Sequence, residues 1–182
     1  NATGRLIHWV QMKNNRIDLN GIAEKINDYT KIIYIANPDN PMGTYITKEE
    51  FDKFYEHVPE RVLVILDEAY FEFAAHIREY PDSMKYRYDN VITLRTFSKA
   101  YGLAGLRIGY GFSHETLISN LLKVKVPFEP SYFAQVAGHA ALDDNEFMKR
   151  TIKLNKNEMV KIENSIDELG IARVPSAANF VT

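Results

Sequence analysis

Three short clusters of polar side chains follow apolar runs in this sequence and hold the residue types best suited to chemistry. Together they provide an amide, a carboxylate, a phenol, two hydroxyls and an amine. The clusters lie at residues 37–43, 67–70 and 95–99. Ligands of parallel α/β sheets bind beyond the carboxyl ends of the strands. If the apolar runs are neighbouring strands, the three clusters are therefore predicted to meet at one rim of the sheet.

Each of these residues also has an ordinary structural explanation when it is taken singly. Asp67 could cap the turn that follows its strand, and Thr96 and Ser98 could be turn or capping hydroxyls. Tyr70 could be a half-buried aromatic, and a lone lysine such as Lys99 is usually a surface residue. The combination of the three clusters, rather than any one residue, favours a functional site.

The elements that must position these clusters are predicted by β-rich runs that alternate with helix-period segments. Five strands are predicted, at residues 6–10, 32–36, 62–66, 91–94 and 108–112. The segments between them are about as long as crossover connections between parallel strands. Because the run at 62–66 is apolar throughout, that strand is expected to be covered on both faces. The pattern predicts an α/β fold, a three-layer α/β/α arrangement around a mostly parallel sheet.

Capping residues mark the predicted helices. Asp18 is predicted to cap a first helix, and Thr47 with Glu50 fits a capping box.

Beyond residue 111 the pattern turns mainly helical, with helices predicted at 114–123, 131–142 and 144–169 and a strand at 171–174. The chain ends in an apolar, strand-like segment without a terminator, so we expect it to be part of a longer protein.

The composition argues against several classes of function. The 182 residues include 22 Lys and Arg against 24 Asp and Glu, so a net charge of −2 creates no field for nucleic acid or an anionic membrane. No cysteine is present, which leaves oxygen and nitrogen groups for any chemistry and fits a reducing compartment. The longest apolar run falls far short of the roughly 20 residues that span a bilayer. A cytoplasmic location is expected.

Metal-dependent alternatives lack ligands of the required spacing. The five histidines show no pattern such as H-E-x-x-H, so no metal site is predicted. A phospho-acceptor receiver domain also places an Asp after a central strand, but it needs an acidic pair after its first strand to hold magnesium. The predicted first strand is followed here by Gln11, Met12 and Lys13.

The residues around Lys99 resemble those of the fold type I pyridoxal-phosphate aminotransferases. The specific part is the stretch at 96–110, which reads Thr-Phe-Ser-Lys-Ala-Tyr-Gly-Leu-Ala-Gly-Leu-Arg-Ile-Gly-Tyr. Asn-Pro-x-Gly at 40–43 and Asp-Glu-Ala-Tyr at 67–70 precede it in the family's order. Within that superfamily the chain is most similar to histidinol-phosphate aminotransferases, over nearly its whole length. The resemblance implies a partial cofactor-binding large domain at 3–130, followed by connecting helices and the start of a small C-terminal domain at 131–182.

The resemblance also implies a role for each matched residue toward pyridoxal 5'-phosphate. Lys99 is expected to form the Schiff base with the cofactor and to move the proton between the substrate and the cofactor. Asp67 is expected to keep the ring nitrogen protonated, so that the ring accepts electrons. The remaining matches divide between two parts of the cofactor. Asn40 and Tyr70 are expected to contact its phenolic oxygen, and Thr96, Ser98 and Arg107 to anchor its phosphate.

The implied reaction transfers an amino group between an imidazolyl phosphate amine, histidinol phosphate, and 2-oxoglutarate in histidine biosynthesis. The implied active unit is a homodimer with its sites at the subunit interface. Aromatic aminotransferase activity and the related threonine-phosphate decarboxylase reaction remain alternatives, as does a truncated domain without catalytic function. Many relatives have Pro-Phe-Asn where this chain has Pro-Phe-Glu-Pro at 127–130, which alters the charge near the expected cofactor side.

Family members are about twice as long as this chain. The resemblance implies that segments outside it supply part of the phosphate cradle, an aromatic stacked on the ring, and the arginine that holds the substrate carboxylate. We therefore expect the 182-residue chain by itself to bind the cofactor less tightly than a complete enzyme and to be inactive.

Overall fold

Four strands form one mostly parallel sheet in the computed structural model, which describes residues 4–182. The strands are β1 (Ile32–Ala36), β2 (Leu63–Asp67), β3 (Val91–Thr96) and β4 (Gly109–Phe112), in that spatial order. β1, β2 and β3 are parallel, and β4 returns antiparallel to β3. The predicted α/β class is confirmed, and the carboxyl ends of β1, β2 and β3 lie side by side.

Four of the predicted strands are confirmed within two residues at each end, and two predicted strands are wrong. Residues 6–10 form no strand, and Leu6 and Trp9 are 82% and 81% exposed. No described strand lies beside this segment, and an apolar run without a hydrogen-bonding neighbour gains nothing from extended geometry. Residues 171–174 also form no strand, because only one backbone bond, from Val174 N to Thr182 O at 2.8 Å, joins them to the last residues.

The main core lies on one face of the sheet. Alternate residues of β1 and β2 face it in register, so Ile33 pairs with Val64 and Ile35 with Leu66. Helices α1 (Leu19–Lys25) and α2 (Lys48–Tyr55) cover this face, and Phe51 of α2 is fully buried there. Burying a side chain of that size contributes roughly 2–3 kcal/mol.

The opposite face of the sheet is only partly covered by the described residues. In β2, Leu63 and Ile65 are half-buried, and in β1 Ile32 and Tyr34 are each 57% exposed. The sequence predicts that the apolar strand β2 is covered on both faces. Among the described residues, one face is fully covered and the other only partly.

The helix starts follow the capping chemistry that the sequence predicts. Asp18 accepts a bond from Gly21 N at 3.0 Å. Thr47 accepts one from Glu50 N at 3.2 Å, while the Glu50 carboxylate accepts one from Thr47 N at 2.7 Å. Arg16 adds two hydrogen bonds to Glu50, at 2.8 and 2.7 Å, which ties the segment before α1 to the start of α2.

The remaining helices are short between β2 and β3 and longer after β4. α3 spans Phe71–Ala74, and the single 3₁₀ turns Ser83–Lys85 and Ala104–Leu106 flank β3. The later helices match their predicted ranges within one residue; they are α4 (Glu115–Val124), α5 (Tyr132–Asp143) and α6 (Asn145–Glu168). Among residues 4–182, no helix combines the length and apolarity needed to cross a bilayer. Residue 3, where the first predicted domain begins, lies outside the described residues.

Candidate active site

Asn40, Tyr70 and Lys99 come together at the carboxyl ends of the strands. Asn40 lies in the loop after β1 and donates a hydrogen bond from Nδ2 to the Tyr70 hydroxyl at 2.8 Å. The Lys99 Nζ, in the loop after β3, lies 5.1 Å from the centroid of the Tyr70 ring. Tyr70 is buried, whereas Asn40 and Lys99 are exposed. A fixed phenol thus supports an accessible amide and an accessible amine.

The loop that carries Asn40 is held by its own hydrogen bonds. The side chain of Asn37, which is buried, accepts a bond from Ile46 N at 2.9 Å and donates one to Ile46 O at 3.3 Å. Asp39 N donates to Thr44 O at 2.8 Å, and Gly43 N donates to Asp39 O at 2.9 Å. Asn37 therefore has a structural role, while the exposed Asn40 keeps its amide at the rim.

Thr96, Ser98 and Arg107 form a second group of donors beside Lys99. Thr96 Oγ1 accepts a bond from Ser98 N at 3.0 Å, which shapes the turn after β3. Arg107 Nη1 donates to Ser98 Oγ at 3.3 Å and to Ala104 O at 2.8 Å. Arg107 also has a φ of 52°, a left-handed conformation that is uncommon for residues other than glycine. Its exposed guanidinium and the Ser98 hydroxyl lie where an anion could reach both.

The turn between Lys99 and Arg107 uses a glycine where the backbone requires one. Gly102 has a φ of 71°, and its N–H donates to Lys99 O at 3.0 Å. Leu103 N then donates to Phe97 O at 2.9 Å, and the chain returns as β4. The chain thus turns tightly after Lys99 and returns antiparallel to β3.

Asp67 lies at the end of β2, and both of its carboxylate oxygens accept hydrogen bonds. Oδ1 accepts one from Ala69 N at 3.1 Å. Oδ2 accepts one from the hydroxyl of Tyr34 in β1. Burial and the neighbouring Asp67 carboxylate raise the pKa of Tyr34, which therefore stays protonated and able to donate. Sequence reasoning missed Tyr34; its only signal is a polar-tipped aromatic within an otherwise aliphatic strand.

A buried ionic network beneath the rim was also missed. Arg95 donates to Glu68 Oε2 and to Asp82 Oδ1, and its guanidinium lies 3.3 Å from the centroid of the Phe71 ring. The nearby Glu72 is buried, its Oε2 has no hydrogen-bond partner, and burial raises its pKa to about 7. Glu68 and Arg95 each adjoin a predicted site residue in sequence, but their pairing requires contacts across the sheet.

Two concavities lie away from this rim. One, of about 570 Å³, lies between the segment before α1 and α2, and the other, of about 840 Å³, lies beside residues 71–88. Neither is lined by a predicted site residue. Within residues 4–182, no group of three or more His, Asp or Glu side chains is arranged to hold a metal ion.

Two curated relatives are similar to this chain over 90% or more of its length. The chain is 46% identical over 174 residues to histidinol-phosphate aminotransferase 2 of Carboxydothermus hydrogenoformans, an alignment that covers 94% of this chain and 48% of the relative. It is 47% identical over 166 residues to histidinol-phosphate aminotransferase 2 of Hydrogenovibrio crunogenus, covering 90% of this chain and 44% of the relative. The chain thus spans about half the length of the curated relatives it matches.

A solved structure and a family match extend the comparison. The histidinol-phosphate aminotransferase of Sinorhizobium meliloti, solved in complex with pyridoxal-5'-phosphate, superposes with a TM-score of 0.89 at 37% identity. The superposition covers 97% of this chain and 48% of that one. Residues 2–182 match the family described as aminotransferase class I and II. By its sequence and its fold, the chain belongs to the class I and II aminotransferases.

Proposed function

We propose that the protein is a pyridoxal-phosphate-dependent aminotransferase that transfers the amino group of histidinol phosphate to 2-oxoglutarate. The observation that carries the proposal is the position of the Lys99 amine. It lies 5.1 Å from the centroid of the Tyr70 ring, whose hydroxyl accepts a hydrogen bond from Asn40. Lys99 also directly follows Ser98, whose hydroxyl accepts a hydrogen bond from Arg107. An accessible amine near these two sets of polar groups suits an aldehyde that also carries a phosphate.

The chemistry of the donor set fits pyridoxal 5'-phosphate at each polar position of that molecule. Arg107 and the hydroxyls of Ser98 and Thr96 would hold the phosphate dianion, for which a guanidinium and hydroxyl donors are well suited. Two further groups match the ring. Asn40 and Tyr70 would donate to its phenolic oxygen, and the Asp67 carboxylate would accept from its protonated nitrogen.

Lys99 is the residue proposed to do the chemistry. Its primary amine would hold the cofactor through the aldehyde group, whose oxygen would leave as water, and the free amine would carry the proton removed from the substrate α-carbon. The cofactor, when bound, supplies an electron-accepting ring next to that carbon. Asp67 would keep the ring nitrogen charged, while Asn40 and Tyr70 would orient the ring and stabilise the ionised phenol.

The proposed substrate rests on the three relatives named above, all of which are histidinol-phosphate aminotransferases. We also propose that the active unit is a cytoplasmic homodimer with a substrate amine and 2-oxoglutarate as its small-molecule partners. The division at residue 130 is proposed on the same grounds. All four strands precede it, and α5 begins at Tyr132. On this proposal the 182-residue chain by itself binds cofactor weakly and does not turn over.

The proposal is tested by trapping the lysine and comparing substrates. The whole protein is incubated with pyridoxal 5'-phosphate, reduced with borohydride and digested, and the cofactor mass is expected on the peptide containing Lys99. The matched variant Lys99→Ala should lose the label and the activity, whereas Lys153→Ala, a change at an exposed residue of α6, should keep both.

The substrate comparison separates the alternatives. Histidinol phosphate, aromatic amino acids and threonine phosphate are assayed side by side with 2-oxoglutarate. Amino transfer from histidinol phosphate with the highest kcat/KM is the expected result. Preference for aromatic amino acids, or release of CO₂ from threonine phosphate, would replace the proposed substrate. A label on another lysine would contradict the proposed site itself.

A further inference from the structure

Tyr34 and Asp67 are joined across two parallel strands on the partly covered face of the sheet. Ala36 of β1 is the register partner of Asp67 at the end of β2. Tyr34 lies two residues before Ala36, so its side chain points to the same face as Asp67. From there the Tyr34 hydroxyl donates a hydrogen bond to Asp67 Oδ2.

This bond, together with a second one, fixes the plane of the Asp67 carboxylate. Ala69 N donates to Oδ1 at 3.1 Å, while Tyr34 holds Oδ2. A carboxylate has about four lone-pair positions, so one on each oxygen stays available to another donor. The turn after β2 uses only Oδ1. The bond to Tyr34 is therefore additional to what the turn needs.

Within residues 4–182, the Tyr34 side chain is 57% exposed and lies outside the main core. Its neighbours Ile33 and Ile35, by contrast, are buried in the main core. Among the described residues, the contact that engages the polar end of Tyr34 is the hydrogen bond from its hydroxyl to Asp67.

We propose that Tyr34 is a positioning residue that orients the Asp67 carboxylate toward the ring nitrogen of the cofactor. The inference rests on the proposed function, because it needs a ring nitrogen for Asp67 to meet. Tyr34 itself does not touch the reacting atoms. It acts by holding Oδ2, so that a free lone pair of Asp67 stays directed at the ligand and less orientational freedom is lost when the cofactor binds.

The test measures equilibrium binding of pyridoxine 5'-phosphate, which lacks the aldehyde and therefore cannot bond to Lys99. In the whole protein, Tyr34→Phe is expected to raise the dissociation constant about tenfold, the scale of one hydrogen bond to a charged group. Tyr29→Phe, the same change at an exposed tyrosine before β1, should leave the constant unchanged within about twofold.

A double-mutant cycle separates positioning from general structural damage. In an Asp67→Asn background, Tyr34→Phe should change the dissociation constant by less than about twofold, since the carboxylate that Tyr34 orients is gone. A 1-deaza analogue, in which carbon replaces the ring nitrogen, should likewise bind wild type and Tyr34→Phe equally. Circular dichroism of each variant confirms that the fold is retained.

The outcomes distinguish this inference from the proposed function. If wild type binds the probe and Tyr34→Phe binds it equally well or more tightly, the positioning role is wrong while the function stands. An equal loss from Tyr34→Phe with and without the Asp67→Asn change would also overturn the positioning role. If wild type fails to bind both pyridoxine 5'-phosphate and pyridoxal 5'-phosphate, the proposed function fails, and the inference fails with it.

Discussion

Arg95 donates two hydrogen bonds to the same oxygen of Glu68, at 3.0 Å from Nε and 2.8 Å from Nη2. Their side chains are only 7% and 1% exposed. Glu68 directly follows Asp67, and Arg95 directly precedes Thr96. The pair therefore joins the ends of β2 and β3 at the residues next to two predicted site residues. Burial raises the pKa of Glu68, and the Arg95 guanidinium opposes that effect.

Removing Arg95 should strongly destabilise the fold. Arg95→Met leaves Glu68 buried without its cation and removes a partner of Asp82, so we expect a loss of roughly 3–5 kcal/mol in the free energy of unfolding. Urea denaturation followed by circular dichroism measures it. The double variant Arg95→Met/Glu68→Gln should lose less free energy of unfolding than the two single variants lose together, because it leaves no unpaired charge buried at residue 68. Strict additivity would show that the two side chains are not coupled.

Glu72 should make stability fall between mildly acidic and neutral pH. Burial raises its pKa from 4.5 to about 7 in the folded protein, so the folded state holds a proton that the unfolded state has released. This contribution is complete below pH 4.5 and is lost as the pH rises through about 7. As the pH rises over that range, wild type should lose this stability and Glu72→Gln should not. The free energy of unfolding of Glu72→Gln should therefore rise by about 3 kcal/mol relative to that of wild type.

The pH dependence of Glu72 is checked by urea denaturation at a series of pH values from 4.5 to 8. The exposed Glu60 offers a matched control, since Glu60→Gln should follow the wild-type curve. Parallel curves for wild type and Glu72→Gln would contradict the prediction.

Arg107→Lys should weaken binding of the cofactor through its phosphate. A lysine keeps the charge but loses the planar pair of donors, and we expect the dissociation constant of pyridoxal 5'-phosphate to rise about tenfold. Pyridoxal, which has no phosphate, should bind wild type and variant alike. Arg87→Lys, at another exposed arginine, serves as the control for the change itself. A similar loss for both ligands would show that Arg107 does not act on the phosphate.

Gly43→Ala should destabilise the loop that carries Asn40. Gly43 has a φ of 73°, and a Cβ there would overlap Ser176 Oγ and lie 2.7 Å from Ser176 Cβ. We expect the free energy of unfolding, measured by urea denaturation, to fall by more than about 2 kcal/mol. The left-handed backbone accounts for roughly 1–2 kcal/mol of that loss.

A second glycine separates the two causes. Gly170 has a φ of 69° and open space around it, so Gly170→Ala should show the backbone effect alone. Adding Ser176→Gly to Gly43→Ala should remove the overlap. The double variant should then lose only as much free energy of unfolding as Gly170→Ala does. No recovery would mean that the contact with Ser176 is not what limits residue 43.

Local sequence determined most of the secondary structure and the identity of the predicted site residues. The apolar runs that became β1 to β4, the capping box at Thr47 and the turn glycine Gly102 each depend on neighbours within a few residues. The lysine segment and its two companion motifs are likewise contiguous. Such patterns are readable because the physical cause, a cap, a turn or a strand period, lies within the same stretch of chain.

The tertiary structure decided which distant side chains meet. The bonds from Tyr34 to Asp67 and from Arg95 to Glu68 depend on the register of parallel strands, which no local pattern specifies. The segment at 6–10 shows the converse: its residues favour a strand, but a strand forms only where a neighbour accepts its backbone hydrogen bonds. Sequence determined the groups available for chemistry, and pairing between strands determined how they are held, because hydrogen bonds and burial depend on partners far away in the chain.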